Sequence, residues 1–144
     1  MPYEHKLIRR VEFPETDMAG IVHFTNFFRY MEYAEHDFYR SLGHSVIMPH
    51  LNPPLGFPRV HASCDYKKPI RFEDMLEIHL LVKEKRARVL SYIFKFRKEG
   101  ETEEIARGAL TVVCVSHVPG KMEAVPIPAG LADQIQVAPA ELLG

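Results

Sequence analysis

Apolar residues recur along this chain at two different periods, and the elements follow from where the period changes. From His5 to Phe13, Leu7, Arg9, Val11 and Phe13 fall on one face at a spacing of two, which predicts a first strand. Pro14 ends it, because proline lacks the ladder N–H and restricts the residue before it. An acidic turn follows, Glu15-Thr16-Asp17, and then Met18-Ala19-Gly20. Between Thr25 and Leu42 the period changes: Phe27, Met31, Ala34, Phe38 and Leu42 recur at three- and four-residue steps, the stripe of one long helix. Thr25 or Asn26 is placed to cap its start and Gly43 to stop it. Glu32, Glu35, Asp37 and Arg40 lie mainly off the stripe and are expected in solvent.

The stretch from His44 to Pro58 carries Pro49, Pro53, Pro54, Gly56 and Pro58 and is expected to be a loop. Alternation then returns. Arg59 to Lys67 reads as a strand ended by Pro69. Met75 to Arg86 sets Leu76, Ile78, Leu80 and Val82 against Glu77, His79 and Lys83, and Arg88 to Arg97 puts Leu90, Tyr92, Phe94 and Phe96 on one face. The turn Lys98-Glu99-Gly100-Glu101 closes a hairpin into a last strand, Glu104 to Val118, apolar on both faces and so expected to be covered on both. The tail, Pro119 to Gly144, contains Pro119, Pro126, Pro128 and Pro139, with a helical turn expected near Leu131 to Gln136. A strand, a long helix and four strands predict an α+β domain spanning residues 1–144, an antiparallel sheet with the helix packed on it.

Composition narrows the function more by exclusion than by direction. A chain of 144 residues with 47% hydrophobic and 26% charged residues is enough for one core. A net charge of −1 gives no bulk attraction to nucleic acid or membrane. No apolar run approaches the roughly 20 residues that cross a bilayer, and no N-terminal stretch reads as a signal peptide. With Cys64 and Cys114 far apart, a reducing cytoplasm is the simplest compartment.

Several residues carry candidate chemistry. The eight histidines show neither HExxH nor paired Cys/His spacing, so no metal site is assigned. His61, Ser63 and Asp65 share a strand face, but same-face neighbours stand about 6–7 Å apart, too far for an automatic relay. Cys114, inside an apolar strand, reads as a small buried hydrophobe, and Cys64 similarly. Lys83, Lys85, Arg86 and Arg88 cluster at a strand–turn–strand junction, either a solvated hairpin end or a phosphate-binding patch. Asp17 is the strongest candidate. An Asp in a turn is most often a turn-former or cap, yet here a helix start follows near His23-Phe24, whose N–H groups could polarise a carbonyl that the carboxylate faces.

The run Asp17-Met18-Ala19-Gly20-Ile21-Val22, then an aromatic, Asn26 and a long helix ending in Leu42-Gly43, resembles the hotdog-fold acyl-CoA thioesterases, nearest the 4-hydroxybenzoyl-CoA thioesterase-like branch. The likeness extends through Tyr66 to Asp74 and the Val112-Val113-Cys114-Val115 strand. It implies a hotdog fold, a long helix wrapped by a five-stranded antiparallel sheet, assembled as a homodimer or homotetramer with active sites at the dimer interface. It implies a hydrolase that releases free acid and CoA, with Asp17 as nucleophile or general base, the Phe24 backbone N–H as oxyanion donor and His23 as a candidate partner. Arg86 and Arg88 match a basic stretch that meets coenzyme A phosphates in some relatives. Several relatives carry Tyr-His where this chain has His23-Phe24. No metal or redox cofactor is needed. Phe27, Tyr30 and His61 are candidates to surround the acyl group, although packing is the first reading of Phe27. A thioesterase for acyl-carrier-protein thioesters, or a non-catalytic acyl-CoA-binding protein of the same fold, stays open at this stage.

Overall fold

The first strand, β1 (Glu4–Arg10), stops earlier than its alternation predicts. Phe13 leaves the strand face to enter a single 3₁₀ turn, Phe13–Glu15, and is exposed. Pro14 supplies the fixed φ of that turn, and Glu12 and Glu15 close it as a reciprocal capping box. A computed structural model describes residues 2–48, 51, 54–118 and 120–144. Pro49, His50, Pro53 and Pro119, which figured in the loop, histidine and tail readings, lie outside the described residues.

The long helix, α1 (Asn26–Ser41), follows the predicted stripe, with Phe27, Met31, Ala34 and Phe38 buried. Its start differs from expectation. Thr25 is the N-cap residue but holds helical angles and makes no side-chain cap bond. β2 (Leu55–Gly56) is a two-residue strand inside the expected loop. β3 (Arg59–Tyr66), β4 (Met75–Lys85), β5 (Val89–Lys98) and β6 (Glu104–Val113) match the predicted strands to within a few residues. The expected last strand breaks at Cys114, and β7 (Val115–Val118) continues into a second sheet with β2 and β8 (Lys121–Ala124). The tail forms two short helices, α2 (Ala129–Ala132) and α3 (Ala140–Leu143), the first two residues ahead of the predicted turn.

The main sheet is five-stranded and antiparallel, in the order β1-β4-β5-β6-β3. Its register sets one face by strict alternation. Ile78 opposes Phe96, Leu80 opposes Phe94 and Val82 opposes Tyr92, and Phe94 in turn opposes Gly108. These side chains are fully buried with Tyr30, Met31, Phe38 and Tyr39 of α1 in one cluster. Burying an apolar side chain of this size stabilises by roughly 1.5–3 kcal/mol, so the helix–sheet contact dominates the fold's stability. At the outer edge of the sheet β3 is exposed along most of its length, and no strand pairs its free side among the described residues.

Glu35 contradicts the expectation that the acids of α1 are solvated: it is 0% exposed. Arg59 Nη2 donates to its Oε1 at 2.5 Å and Nη1 to its Oε2 at 3.3 Å. Desolvation pushes the Glu35 carboxyl above its usual range, and the Arg59 guanidinium opposes that push. Removing the arginine leaves the buried charge uncompensated. Arg59→Met should therefore cost about 3 kcal/mol at neutral pH. The linkage has a definite sign. A raised folded-state pKa means the folded protein holds the Glu35 proton more tightly, so stability falls as pH rises from the ordinary carboxyl range toward neutrality. Losing Arg59 raises that pKa further. The deficit of the variant, measured by urea unfolding between pH 4.5 and 7.5, should shrink on acidification; a pH-independent deficit would contradict this assignment.

Candidate active site

The loop between β1 and α1 is pinned on both sides before any side chain contributes. Asp17 N–H donates to Ile21 O at 2.8 Å and Val22 N–H to Ile70 O at 2.8 Å. Isolated bridges join Thr16 to Val22 and Ile21 to Arg71. The tight reversal needs Gly20, whose φ of +79° lies in the left-handed region open to glycine. Within this frame the Asp17 carboxylate is held by one oxygen. Ala19 N–H donates to Oδ1 at 2.8 Å and Ile21 N–H reaches it at 3.4 Å. Oδ2 has no partner among the described residues. Asp17 is thus both the turn-former that its position suggests and a half-buried acid with one free oxygen.

Asp17 lines a cleft of about 470 Å³ together with Val22, Phe24, Phe27, Tyr66 and Ile70. The N–H of Phe24 lies just before the helix, and no acceptor meets it among the described residues. Asp17, with one free carboxylate oxygen, and Phe24, with an unpaired N–H just before the helix, therefore line one cleft of largely apolar walls, which Lys67 and Lys68 also border. Such a pair can attack, or activate water against, a carbonyl whose oxygen the N–H stabilises.

The other expected site residues separate. His23 turns to the helix start: its Nδ1 lies 2.7 Å from Thr25 Oγ1 and also accepts from Thr25 N–H at 3.3 Å, while its ring stacks on Phe24. It performs the capping that Thr25 does not. Arg86 and Arg88 lie at the β4–β5 hairpin, where Arg86 pairs with Glu84. β4 runs from beside Val11, near the Asp17 loop, to that hairpin, and 11 residues at about 3.3 Å span roughly 35 Å. The arginines and Asp17 of one chain therefore occupy opposite ends of the sheet. Phe27 is buried and stacks edge-on with Tyr66 and Phe96, so it serves both core and cleft wall. Tyr30 is fully buried and His61 lies on the exposed edge strand. His61, Ser63 and Asp65 make no hydrogen bond to one another among the described residues. Burial pushes both thiols up to about 11, which leaves Cys64 and Cys114 protonated at neutral pH. No cluster of three His, Cys, Asp or Glu side chains could hold a metal ion among the described residues.

Two contributors escaped the sequence reading. Tyr66 O–H donates to Phe24 O at 2.9 Å, fixing a residue that lines the cleft and whose N–H has no acceptor among the described residues. Burial is the first cause that pushes its phenol up to about 12, so the hydroxyl remains a donor at neutral pH. Asn26, expected as a cap, instead donates from Nδ2 to Glu15 O at 2.8 Å. Neither long-range partner leaves a mark in local spacing.

The family model described as the thioesterase-like superfamily matches residues 11–135. The chain belongs to that superfamily, and its fold is the hotdog fold. It is 42% identical over 84 residues to a protein of Aquifex aeolicus (strain VF5) named as an esterase; the match covers 58% of this chain and 63% of that protein. It is 28% identical over 133 residues to a 1,4-dihydroxy-2-naphthoyl-CoA hydrolase of Synechococcus sp. (strain CC9311), covering 88% of this chain and 86% of the relative. Among solved structures, a gentisyl-coenzyme A thioesterase superposes with a TM-score of 0.77 at 31% identity, over 88% of this chain and 98% of the other.

The pinned loop yields a direct expectation. Gly20→Ala places a β carbon at positive φ, a cost of about 1 kcal/mol or more. Chemical denaturation should show that loss, and wild-type stability in the variant would mean the loop is not so constrained.

Proposed function

We propose that this enzyme hydrolyses an acyl-CoA thioester to the free acid and CoA, with Asp17 as the reacting carboxylate. The observation that carries the reading is that Asp17 and Phe24 line one cleft, and that a carboxylate oxygen of the first and the backbone N–H of the second lack partners among the described residues. Curated and structural relatives that act on aryl-CoA thioesters support the substrate class. The apolar walls from Phe24, Phe27 and Tyr66 suit a flat acyl group, because aromatic rings stack edge-on or offset.

In the proposed reaction the thioester carbonyl enters with its oxygen toward the Phe24 N–H. Asp17 Oδ2 either attacks the carbonyl carbon or takes a proton from an attacking water. Negative charge collects on the carbonyl oxygen, where the N–H stabilises it; a donor of this kind is worth ~3 kcal/mol or more. The C–S bond then breaks and CoA thiolate leaves, to be protonated by water; where Asp17 has attacked directly, a second water hydrolyses the acyl–Asp17 anhydride, which releases the free acid and restores the carboxylate. His23 stays at the helix cap in this scheme and supports the Phe24 end of the site. Asp17→Asn should lower kcat at least about a hundredfold on the thioesters that the wild type hydrolyses. A panel of aryl, short-chain and long-chain acyl-CoAs assayed by thiol release is the check, and near-full activity in the variant would sink the mechanism.

We further propose that the working unit is a homodimer, or a homotetramer of two such dimers, in the cytoplasm. An unpaired, exposed strand edge of eight residues is a template for a second copy. Antiparallel pairing of β3 with itself would set the Arg59 end of one copy against the Tyr66 end of the other. Arg88 lies at the Arg59 end, because Arg59 opposes Val112 and Val89 opposes Val113. The partner copy's hairpin would thereby approach this chain's Asp17 cleft, which resolves the separation within one chain and gives Arg86 and Arg88 access to CoA phosphates. Arg88→Ala should raise KM for acyl-CoA about tenfold at low salt and leave kcat unchanged, since guanidinium–phosphate contacts are uniform binding. The same variant should be indifferent to an acyl-pantetheine lacking the nucleotide. A monomer by analytical ultracentrifugation, or equal effects on both substrates, would contradict the arrangement.

A further inference from the structure

Glu15 is the one acidic residue of this region whose side chain ties its own turn to two other elements. Arg9 of β1 donates from Nη2 to Oε2 at 2.5 Å. Tyr30 of α1 donates from its hydroxyl to Oε1 at 3.0 Å, and Glu12 N–H donates to the same oxygen at 2.8 Å. The backbone of the same residue is equally engaged, since Glu15 O accepts His23 N–H at 2.9 Å and Asn26 Nδ2 at 2.8 Å. The Arg9 guanidinium lies 4.6 Å from the centre of the Tyr33 ring and 5.4 Å from that of Tyr30, so the ion pair is walled by aromatic rings of α1. Its Nε is buried with no acceptor among the described residues, a cost that the fold accepts to keep the guanidinium where it meets Glu15.

The position of this network gives it a consequence for the cleft. Asp17 follows Glu15 by two residues along the loop. Phe24 follows His23, whose N–H rests on the Glu15 carbonyl. One residue thus fixes both ends of the loop, the end that carries the acid and the end that carries the free N–H. Arg9 also meets α1 directly, over the Tyr30 and Tyr33 rings, so β1, the turn and the helix close into one network at this place.

We propose that Glu15 is a positioning residue, which through Arg9, Tyr30 and Asn26 holds the Asp17 carboxylate and the Phe24 N–H at the separation that a thioester carbonyl requires. The inference rests on the catalytic reading of that pair. Because a displacement of 1 Å at reacting groups can cost about a hundredfold in rate, a residue that never touches substrate can control kcat. Burial, joined by the Glu15 hydrogen bond and charge, pushes the Tyr30 phenol above its usual range, so the hydroxyl is a donor at every working pH.

Three variants decide it: Glu15→Ala, Glu15→Gln and Tyr30→Phe, each checked for folding by a thermal melt. Glutamine keeps an oxygen for Tyr30 and Glu12 N–H; alanine keeps nothing. Glu15→Ala should lose about thirtyfold in kcat with KM within about twofold, Glu15→Gln should retain kcat within about threefold, and Tyr30→Phe should lose about fivefold in kcat alone. Amide hydrogen exchange gives a readout free of turnover. Protection at Ala19, Ile21 and His23 should fall about tenfold in Glu15→Ala and hold in Glu15→Gln. Where Glu15→Ala fails to fold, Tyr30→Phe carries the test, and wild-type kcat and exchange in that variant overturn the proposal. Turnover retained in folded Glu15→Ala but lost in Asp17→Asn would overturn this inference and leave the catalytic reading standing. Failure of the wild type to hydrolyse any thioester would sink the catalytic reading, and the exchange rates would still decide whether Glu15 holds the loop.

Discussion

Met31 against Gly108 sets how closely the long helix can lie on the sheet. A β carbon on residue 108 would stand 2.2 Å from Met31 Cε and 2.8 Å from its Sδ. The bare backbone at the centre of β6 therefore lets α1 settle among Ile78, Leu80, Phe94 and Phe96. Interiors pack at crystal-like density, so that seat fixes the helix in depth and rotation. Everything in the cleft inherits the placement. Tyr30, one residue before Met31, points to Glu15; Asn26, at the helix start, reaches the Glu15 carbonyl; and Phe27 turns its ring between Phe96 and Tyr66.

Charge is handled in two ways on the same helix. On one side Glu15 and Arg9 join the helix through Tyr30 to the Asp17 loop. On the other, Glu35 is drawn fully inside and held by Arg59, at the start of the edge strand. A buried ion pair contributes little net stability against an apolar replacement, but its geometry is exacting. Both pairs tie α1 to flanking elements, one to β1 and one to β3. The two edges of the five-stranded sheet are thereby referenced to one helix, and the cleft at the Tyr66 end of β3 is built between them.

Much of this was legible in the residue pattern, because burial on one face imposes a period. Leu76, Ile78, Leu80 and Val82 announce β4, and Phe27, Met31, Ala34 and Phe38 announce α1. Local pattern fails where the partner is distant in sequence. Glu35 falls off the helical stripe and reads as solvated, since nothing nearby reveals Arg59, 24 residues on. The mostly apolar stretch from Leu110 to Val115 hides the break at Cys114, because Val112, Cys114 and Val115 are all buried across it. Asp17 could be singled out from its turn and the helix that follows. Glu15 could not, although Glu12 and Glu15 stand at capping-box spacing, because an acid in a turn is ordinarily solvated. His23 looked like a catalytic partner by adjacency alone, and the geometry gives its Nδ1 to Thr25.

In the proposed reaction everything depends on Asp17 and the Phe24 N–H addressing the same carbonyl. The most direct measurement is a crystal structure of the wild-type protein with an unreactive CoA thioether that carries a ketone in place of the thioester carbonyl. The ketone oxygen is expected within about 3 Å of Phe24 N and an Asp17 carboxylate oxygen within about 3.5 Å of the carbonyl carbon, in near-attack geometry. A ligand bound with its carbonyl away from Asp17, or with its oxygen on a donor other than Phe24, would contradict it.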